Sequence, residues 1–401
     1  MVGVLDGLKV LDVGHFVAVP SAGVLLGDWG ADITKIEPID GDAHRGDASA
    51  SLRGAGSTVN WRFEIHNRNK RSMALNLKHD AGREILYELV RSADVLMTNY
   101  EPATLTKLKI DYDILKDVNP KLVYASLSGY GTVGPDKDAR GFDFTAAWAR
   151  TGVQHLQCEP GTSPTMAPNG MMDRAAGTMM VAGILASLRH RDKTGQGQQL
   201  ESSLYHSGVW SLASDLQETL AGNTVPPRDR KQALNPLCNT YRTSDGFWLQ
   251  FAMLQADSFW PDFCGAILRP DLRTDPRFES MGPRAEHCEE LITILDDVFS
   301  NRTRSEWEPR LLDGNCIFSW VETPEAMIDD PQAKANGFFT EIDHPAAGKT
   351  RYVNTPVTFH QNPATIRSIA PEVGQHTEEI LLEMGRSWDE ITELKEMGAI
   401  I

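Results

Sequence analysis

The sequence predicts an α/β fold: a parallel β-sheet covered by helices, followed by a smaller α+β unit. Three observations carry this expectation. Short β-branched runs alternate with helical segments through the first half of the chain. One long helix rich in Ala, Met, Leu and Gly follows them. A polar stretch containing two prolines then separates that half from a region with a different pattern.

Taken in order, Leu8–Val13 reads as a strand and Ala18–Trp29 as a helix that starts near Pro20. Asp32–Ile36 is a second strand. Ser72–Leu77 and Asp94–Thr98 are strands on either side of a helix at His79–Arg91, and Leu122–Leu127 is another strand. Strand–helix–strand repeats of this kind make parallel sheets, and ligands of such sheets sit beyond the carboxyl ends of the strands. Asp173–Arg191 reads as one long helix, ended by basic residues and by Gly195 and Gly197. Gln198–Leu204 resumes a strand pattern. Gly222–Gln232, with Pro226, Pro227 and a charged run, is a candidate linker. Tyr241–Phe263 carries a hairpin signal at Ser244-Asp245-Gly246, and Glu378–Met397 has helical periodicity. The expected organisation is a large domain at 1–204, a linker at 205–234, a small domain at 235–325, and a C-terminal part at 326–401.

The bulk numbers set outer limits. The chain has 401 residues, 41% of them apolar and 23% charged, an ordinary globular composition with enough chain for a large core. Its net charge of -16 makes it a poor candidate for nucleic-acid binding, which concentrates basic residues. The five cysteines are scattered and form no CxxC pair, so five reduced thiols are expected rather than a disulfide framework or a zinc site. No signal peptide and no membrane-spanning run is legible, so the expected location is cytoplasmic.

Several motifs need weighing. Gly129-x-Gly131-x-x-Gly134 matches the dinucleotide fingerprint as a string, but Pro135 and the charged stretch DKDARG follow where a helix is required. A glycine-rich turn at a strand end is the expectation. His15 lies where the first strand turns into its helix, a ligand-facing position at which the backbone is a better candidate than the ring. The remaining histidines form no HxxxH or HExxH set, so no metal is expected, and no GxSxG elbow points to a serine hydrolase. Lys35, Arg45, Arg68, Lys70, Arg71, Lys78, Lys107, Lys137 and Arg140 are each ordinary surface charges when read singly. Together they would suit a polyanion bearing a pyrophosphate and a further phosphate.

Asp173 is the most informative residue. It follows Asn169-Gly170-Met171-Met172 and opens the long helix. One reading is a helix N-cap. The other is a carboxylate kept ionised by the helix dipole and free N–H groups, able to attack an activated acyl group. Residue chemistry leaves both open.

The chain resembles the family III CoA-transferases, also called the CaiB/BaiF or formyl-CoA transferase family. The resemblance runs over essentially the whole length. It is carried by LDGLKVLDVGHFVAVPSAGVLLGDWGADITKIEP (5–38), NRNKRSMALNLK (67–78), ADVLMTNYEPATLTKL (93–108), SGYGTVGP (128–135), MDRAAGTMMVAGILASLRHRDKTGQGQ (172–198), DDPQAKANGFF (329–339) and APEVGQHTEEIL (370–381). The ordered series, rather than any one string, makes it specific.

The resemblance implies a Rossmann-like large domain built from both chain ends, a smaller α+β domain, and an interlocked homodimer. It implies acyl-CoA and a small carboxylic acid as substrates, and Asp173 as nucleophile. CoA contacts are implied at His15, Phe16, Val17 and Ala18; at Leu75, Asn76 and Lys78; at Asn99, Tyr100 and Glu101; at Lys107; and at Arg140, Phe142 and Asp143. The chain departs from the pattern at Met172, where Gly is usual, at Val17, where some members have Gln, and at Pro38, where some members have a basic residue. Related α-methylacyl-CoA racemases use a His in Gly-His-Asp; here the string is Gly141-Phe142-Asp143, and phenylalanine cannot shuttle a proton. A racemase and a non-catalytic CoA-binding protein are the alternatives, and retention of Asp173 weighs against the second. GFDFTAAWARTGV (141–153) and GTSPTMAPNG (161–170) look most like the 2-hydroxyacyl branch, with Phe142, Phe144, Trp148 and Met171 as candidate acyl-pocket residues.

Overall fold

In the computed structural model, which describes residues 3–46 and 59–401, six strands form one parallel sheet. They are β1 (Lys9–Val13), β2 (Asp32–Glu37), β3 (Lys70–Ala74), β4 (Val95–Thr98), β5 (Val123–Ser128) and β6 (Gln198–Ser203), in the order β3-β2-β1-β4-β5-β6. Consecutive side chains in these strands point to opposite faces, and both faces are buried, which is why the strands read as near-continuous apolar runs.

Val10, Val95, Met97, Val123 and Ala125 face one core, shared with α1 (Ala18–Asp28) and α7 (Met171–Thr194). Leu11, Leu96 and Tyr124 face the other core. That second core is shared with α3 (Asp80–Ser92), α4 (Pro102–Leu108) and α5 (Tyr112–Val118). Every residue of α1 is buried, because the helix is covered by the sheet on one side and α7 on the other. A Cβ at Gly177 of α7 would stand 2.6 Å from the Ala18 carbonyl oxygen, so only glycine permits this approach.

The strands at 8–13, 32–36, 94–98, 122–127 and 198–204 agree with the sequence expectation to within one residue at each end. The strand expected at Ser72–Leu77 lies instead at Lys70–Ala74. Its start is disguised by Lys70, whose ammonium is fully buried and satisfied by Asp12 Oδ2 at 2.7 Å and by two carbonyls. Its end is an Asn turn, in which Asn76 Oδ1 accepts from the Lys78 N–H. A short helix α2 (Trp61–Asn67), capped by Asn60, precedes it.

The C-terminal segment closes the outer edge of β3. Thr377 Oγ1 accepts from the Ala74 N–H and His376 Nδ1 from the Ser72 N–H. The single helical stretch expected at Glu378–Met397 is two helices, α16 (Thr377–Glu383) and α17 (Trp388–Glu396). A Ser387–Glu390 capping box starts the second. The chain also forms α6 (Val153–Gln157) between β5 and β6, and, after β6, α8 (Leu204–Ser211), α9 (Ala213–Leu220) and the hairpin β10 (Phe339–His344) with β11 (Gly348–Val353).

The chain divides into two compact units, residues 1–154, 166–223 and 336–401 in the first and 155–165 and 224–335 in the second. The second unit has a three-stranded antiparallel sheet: β7 (Thr240–Arg242), β8 (Trp248–Phe251) and β9 (Phe318–Trp320). The turn at 243–247 joins β7 to β8, where the hairpin signal lies, with Gly246 at φ 90°. Helices α10 (Ala256–Ala266), α11 (Met281–Glu286), α12 (Cys288–Ser300) and α13 (Arg304–Asp313) surround a core of its own, centred on Phe251, Phe263, Phe299 and Trp307. Short helices α14 (Pro324–Met327) and α15 (Pro331–Ala335) end it.

Candidate active site

The sheet order changes direction at β1 and β4, whose onward connections run to opposite sides. A crevice therefore opens beyond their carboxyl ends. It is a cleft of about 420 Å³, bordered by the residues that follow β1, β4 and β5 and by the start of α7. The first two loops are tied together reciprocally. The His15 N–H donates to Asn99 Oδ1 and Asn99 Nδ2 donates to the His15 carbonyl, both at 2.9 Å.

Phe16 sits at φ 61°, a left-handed conformation that costs a non-glycine residue about 1 kcal/mol or more. Two buried ion pairs beneath the loop hold it there. Asp42 accepts the Phe16 N–H at 3.2 Å and pairs with Lys35, whose Nζ also donates to the Gly14 carbonyl at 2.9 Å. Asp12 accepts the Gly14 N–H and pairs with Lys70. The backbone at 15–16, which the sequence offered as a ligand contact, thus has its N–H groups engaged within the protein. Burial lowers the pKa of His15, so its ring is neutral, set against Phe16 and Tyr100.

Asp173 enters the cleft from α7. It is not the helix cap. Gly170 is, at φ 65°, and Asp173 is the third helical residue. A glycine cap has no side chain to accept the first amides. Asp143, 29 residues earlier, does so instead: Oδ2 accepts the Met172 N–H at 3.1 Å. The turn before the helix is also tied to the helix itself, by Arg174 of α7 donating to the Asn169 carbonyl. The helix start does not hold the pKa of Asp173 low. Burial, and then the Asp143 charge, push its pKa up to about 7, against the pull of Arg174. The Met172 N–H is already bound, so it is no free donor for an oxyanion at the helix start.

Of the residues implicated by the sequence, the cleft brings together Asp173, His15, Phe16, Val17, Ala18, Asn99, Tyr100, Glu101, Arg140 and Phe142. Arg140 pairs with Glu101 at 3.3 Å. Phe142 is 57% exposed and meets Phe16 edge-on, ring centroids 5.7 Å apart. Asp143 is a correction: it is buried under the helix start and does not line the cleft. Leu75 is core, with its N–H on the Glu37 carbonyl. Asn76 donates to the Gly398 carbonyl, and Lys78 and Lys107 are exposed outside the cleft lining.

The polyanion-binding cluster also needs correction. Lys35, Arg68 and Lys70 are buried in pairs with Asp42, Asp28 and Asp12, while Arg45 and Arg71 pair with Glu37 and with Asp32 and Glu383. Of that cluster, only Lys137 and Arg140 line the cleft. Of the candidate acyl-pocket residues, Trp148 is core and Phe142 alone lines the cleft. Sequence reading missed Gly129 as a lining residue, although the glycine-rich turn after β5 marks it. No helix begins after that turn until Asp143, so a pyrophosphate would meet no helix N-terminus there. A larger, shallower depression of about 530 Å³ in the second unit is lined by Glu286, Glu289 and Glu290, the wrong charge for a phosphate-bearing substrate.

A doubly wound parallel sheet, a carboxylate at a helix start beyond its strand ends and two cations at the rim define the class of protein in which comparisons find this chain. The model of CoA-transferase family III matches residues 5–377. The chain belongs to the family III CoA-transferases, and it is a transferase. It is 35% identical to (R)-2-hydroxy-4-methylpentanoate CoA-transferase of Clostridioides difficile, over 99% of each chain. It is 34% identical to cinnamoyl-CoA:phenyllactate CoA-transferase of Clostridium sporogenes, over 97% of this chain and 95% of that one. A crystal structure of a CaiB/BaiF family protein from Brucella suis superposes with a TM-score of 0.84 at 28% identity, covering 96% of this chain and 100% of that one. Among the described residues no helix is long and apolar enough to cross a membrane, and no group of three or more His, Cys, Asp or Glu is placed to hold a metal ion.

Proposed function

We propose that this CoA-transferase acts through Asp173 as a covalent nucleophile and that its acids belong to the 2-hydroxyacyl class. The carrying observation is a carboxylate of raised basicity, pKa about 7, at the wall of a cleft with Lys137 and Arg140 at its rim. An Asp173 oxygen attacks the thioester carbonyl, the C–S bond breaks, and CoA leaves as a thiolate with a mixed anhydride formed. The thiolate attacks the Asp173 carbonyl, giving an aspartyl thioester and the free donor acid. The acceptor carboxylate attacks that thioester and expels the thiolate, which then attacks the acceptor acyl group and restores Asp173. No proton is gained or lost over the cycle. A carboxylate serves both as nucleophile and as leaving group, so the thioester energy is retained while water is excluded.

The acid class rests on the names of the two relatives above and on the apolar wall that Val17 and Phe142 give the cleft. Two unlike features, a rim with cations and a wall without them, suit a phosphate-bearing carrier and an apolar acyl chain respectively. The likeness to the family further implies a homodimer, which light scattering tests. Asp173→Ala should lower transfer by at least about four orders of magnitude, as loss of a covalent nucleophile does, while retaining CoA binding. Retained turnover would exclude Asp173 as nucleophile. Incubating the enzyme with acyl-CoA donors and a panel of acids, read by mass spectrometry, should give CoA thioesters of branched or aryl 2-hydroxy acids in preference to dicarboxylates. The reverse preference would overturn the acid class.

A further inference from the structure

Asp143 is a buried carboxylate, 3% exposed, that the transfer reaction does not use. It begins a turn of π-helix (Asp143–Ala149) packed against α7 and α8. One oxygen, Oδ2, accepts the Met172 N–H, and the Trp148 indole lies beside the carboxylate. A carboxylate placed this way is held by few donors and has little water, so its charge acts on its neighbours through a medium of low polarity.

We infer that Asp143 is a positioning residue for Asp173: it caps the nucleophile helix where Gly170 cannot, and its buried charge destabilises the free Asp173 carboxylate relative to the uncharged covalent forms. The inference rests on Asp173 being the nucleophile. Its physical basis is differential. Free Asp173 carries a charge beside Asp143, whereas the anhydride and the thioester carry none on that group. A repulsion present only in the free enzyme is relieved when the covalent bond forms, which favours attack. Direction and partners agree: the groups facing Asp173 are Asp143 from the π-turn and Arg174 from its own helix, and the first raises what the second lowers. Asp143 is itself raised, chiefly by burial, with the Asp173 and Met172 amides, Arg174 and Trp148 opposing.

Asp143→Asn separates charge from shape, because its amide oxygen can still accept the Met172 N–H. The wild-type kcat/KM should rise with pH through a midpoint near 7, as Asp173 ionises. In Asp143→Asn the midpoint should move about one pH unit or more toward acid, with like-charge repulsion gone. Above the midpoint, the ratio of covalent adduct to free enzyme with acyl-CoA should fall by up to about tenfold per unit of basicity lost. The same substrate is used throughout, so its own phosphate ionisation cancels. Asp143→Ser, neutral but still an acceptor, serves as a second test. An unshifted midpoint in either folded variant overturns the inference, as does failure of both to fold, which would make Asp143 purely structural. Asp173→Asn is run in parallel. If it retains turnover, the nucleophile assignment fails. If it is inactive and the Asp143 variants are unshifted, only the role of Asp143 fails.

Discussion

Asp173 carries a stability cost that follows from its position. Its pKa in the folded protein, about 7, lies above the ordinary aspartate value of 3.8. Between those values the folded protein binds the proton more tightly than the unfolded chain. Stability is therefore full at low pH and falls as pH rises through that window. Asp173→Asn removes the charge that burial and Asp143 disfavour. Its unfolding temperature should exceed that of the native enzyme at pH 8 by several degrees, for a gain of order 1 kcal/mol or more. The gain should vanish near pH 4. Equal unfolding temperatures at pH 8 would mean that Asp173 titrates as an exposed carboxylate.

At the scale of elements, the site depends on how closely α1 and α7 approach. Gly177 lies one helical turn beyond Asp173 and on the same face. There a Cβ would meet Ser21 Oγ at 2.4 Å and the Ala18 carbonyl at 2.6 Å. The serine could rotate away, but the carbonyl belongs to the first turn of α1, whose Val17 and Ala18 line the cleft. Gly177→Ala must separate the helices and should cost about 1–3 kcal/mol, as overpacking does. It should also raise KM for acyl-CoA, because Asp173 and the 15–18 loop move apart. Denaturant titration and steady-state kinetics check the two effects. A variant with native stability and native KM would contradict the packing described.

At the scale of the first unit as a whole, sequence-distant chain ends share one core. Ile380, Leu381, Ile391 and Ile400 are each at most 3% exposed and pack with Leu11, Met73 and Leu96 of the sheet. Burial of four such side chains contributes about 6–12 kcal/mol, comparable with the net stability of a domain. Removing residues 376–401 also frees the amides of Ser72 and Ala74 at the edge of β3. The truncated chain should lose cooperative unfolding and become protease-sensitive in the first unit. A cooperative transition at the original temperature would show the tail to be dispensable.

The sequence by itself determined the strand–helix alternation, because buried parallel strands and a wholly buried α1 leave strong apolar runs. It singled out Asp173 as a candidate, through a glycine-containing approach to a long helix and the ordered likeness to one family. It also offered the loops after β1 and β4, since ligands of parallel sheets sit beyond the carboxyl ends of the strands. Tertiary structure alone decided the rest. A lysine in sequence carries no mark of its partner. Lys35 and Lys70 read as candidate phosphate ligands, yet each closes a buried ion pair with a carboxylate 7 and 58 residues away. An aspartate likewise does not announce what it faces. Asp143 looked like a substrate contact beside Phe142, but a shift of one position turns the side chain from the cleft to the underside of the start of α7. The charge state of Asp173 was decided there too: proximity to a helix start argued for a low pKa, and burial beside a second carboxylate raised it.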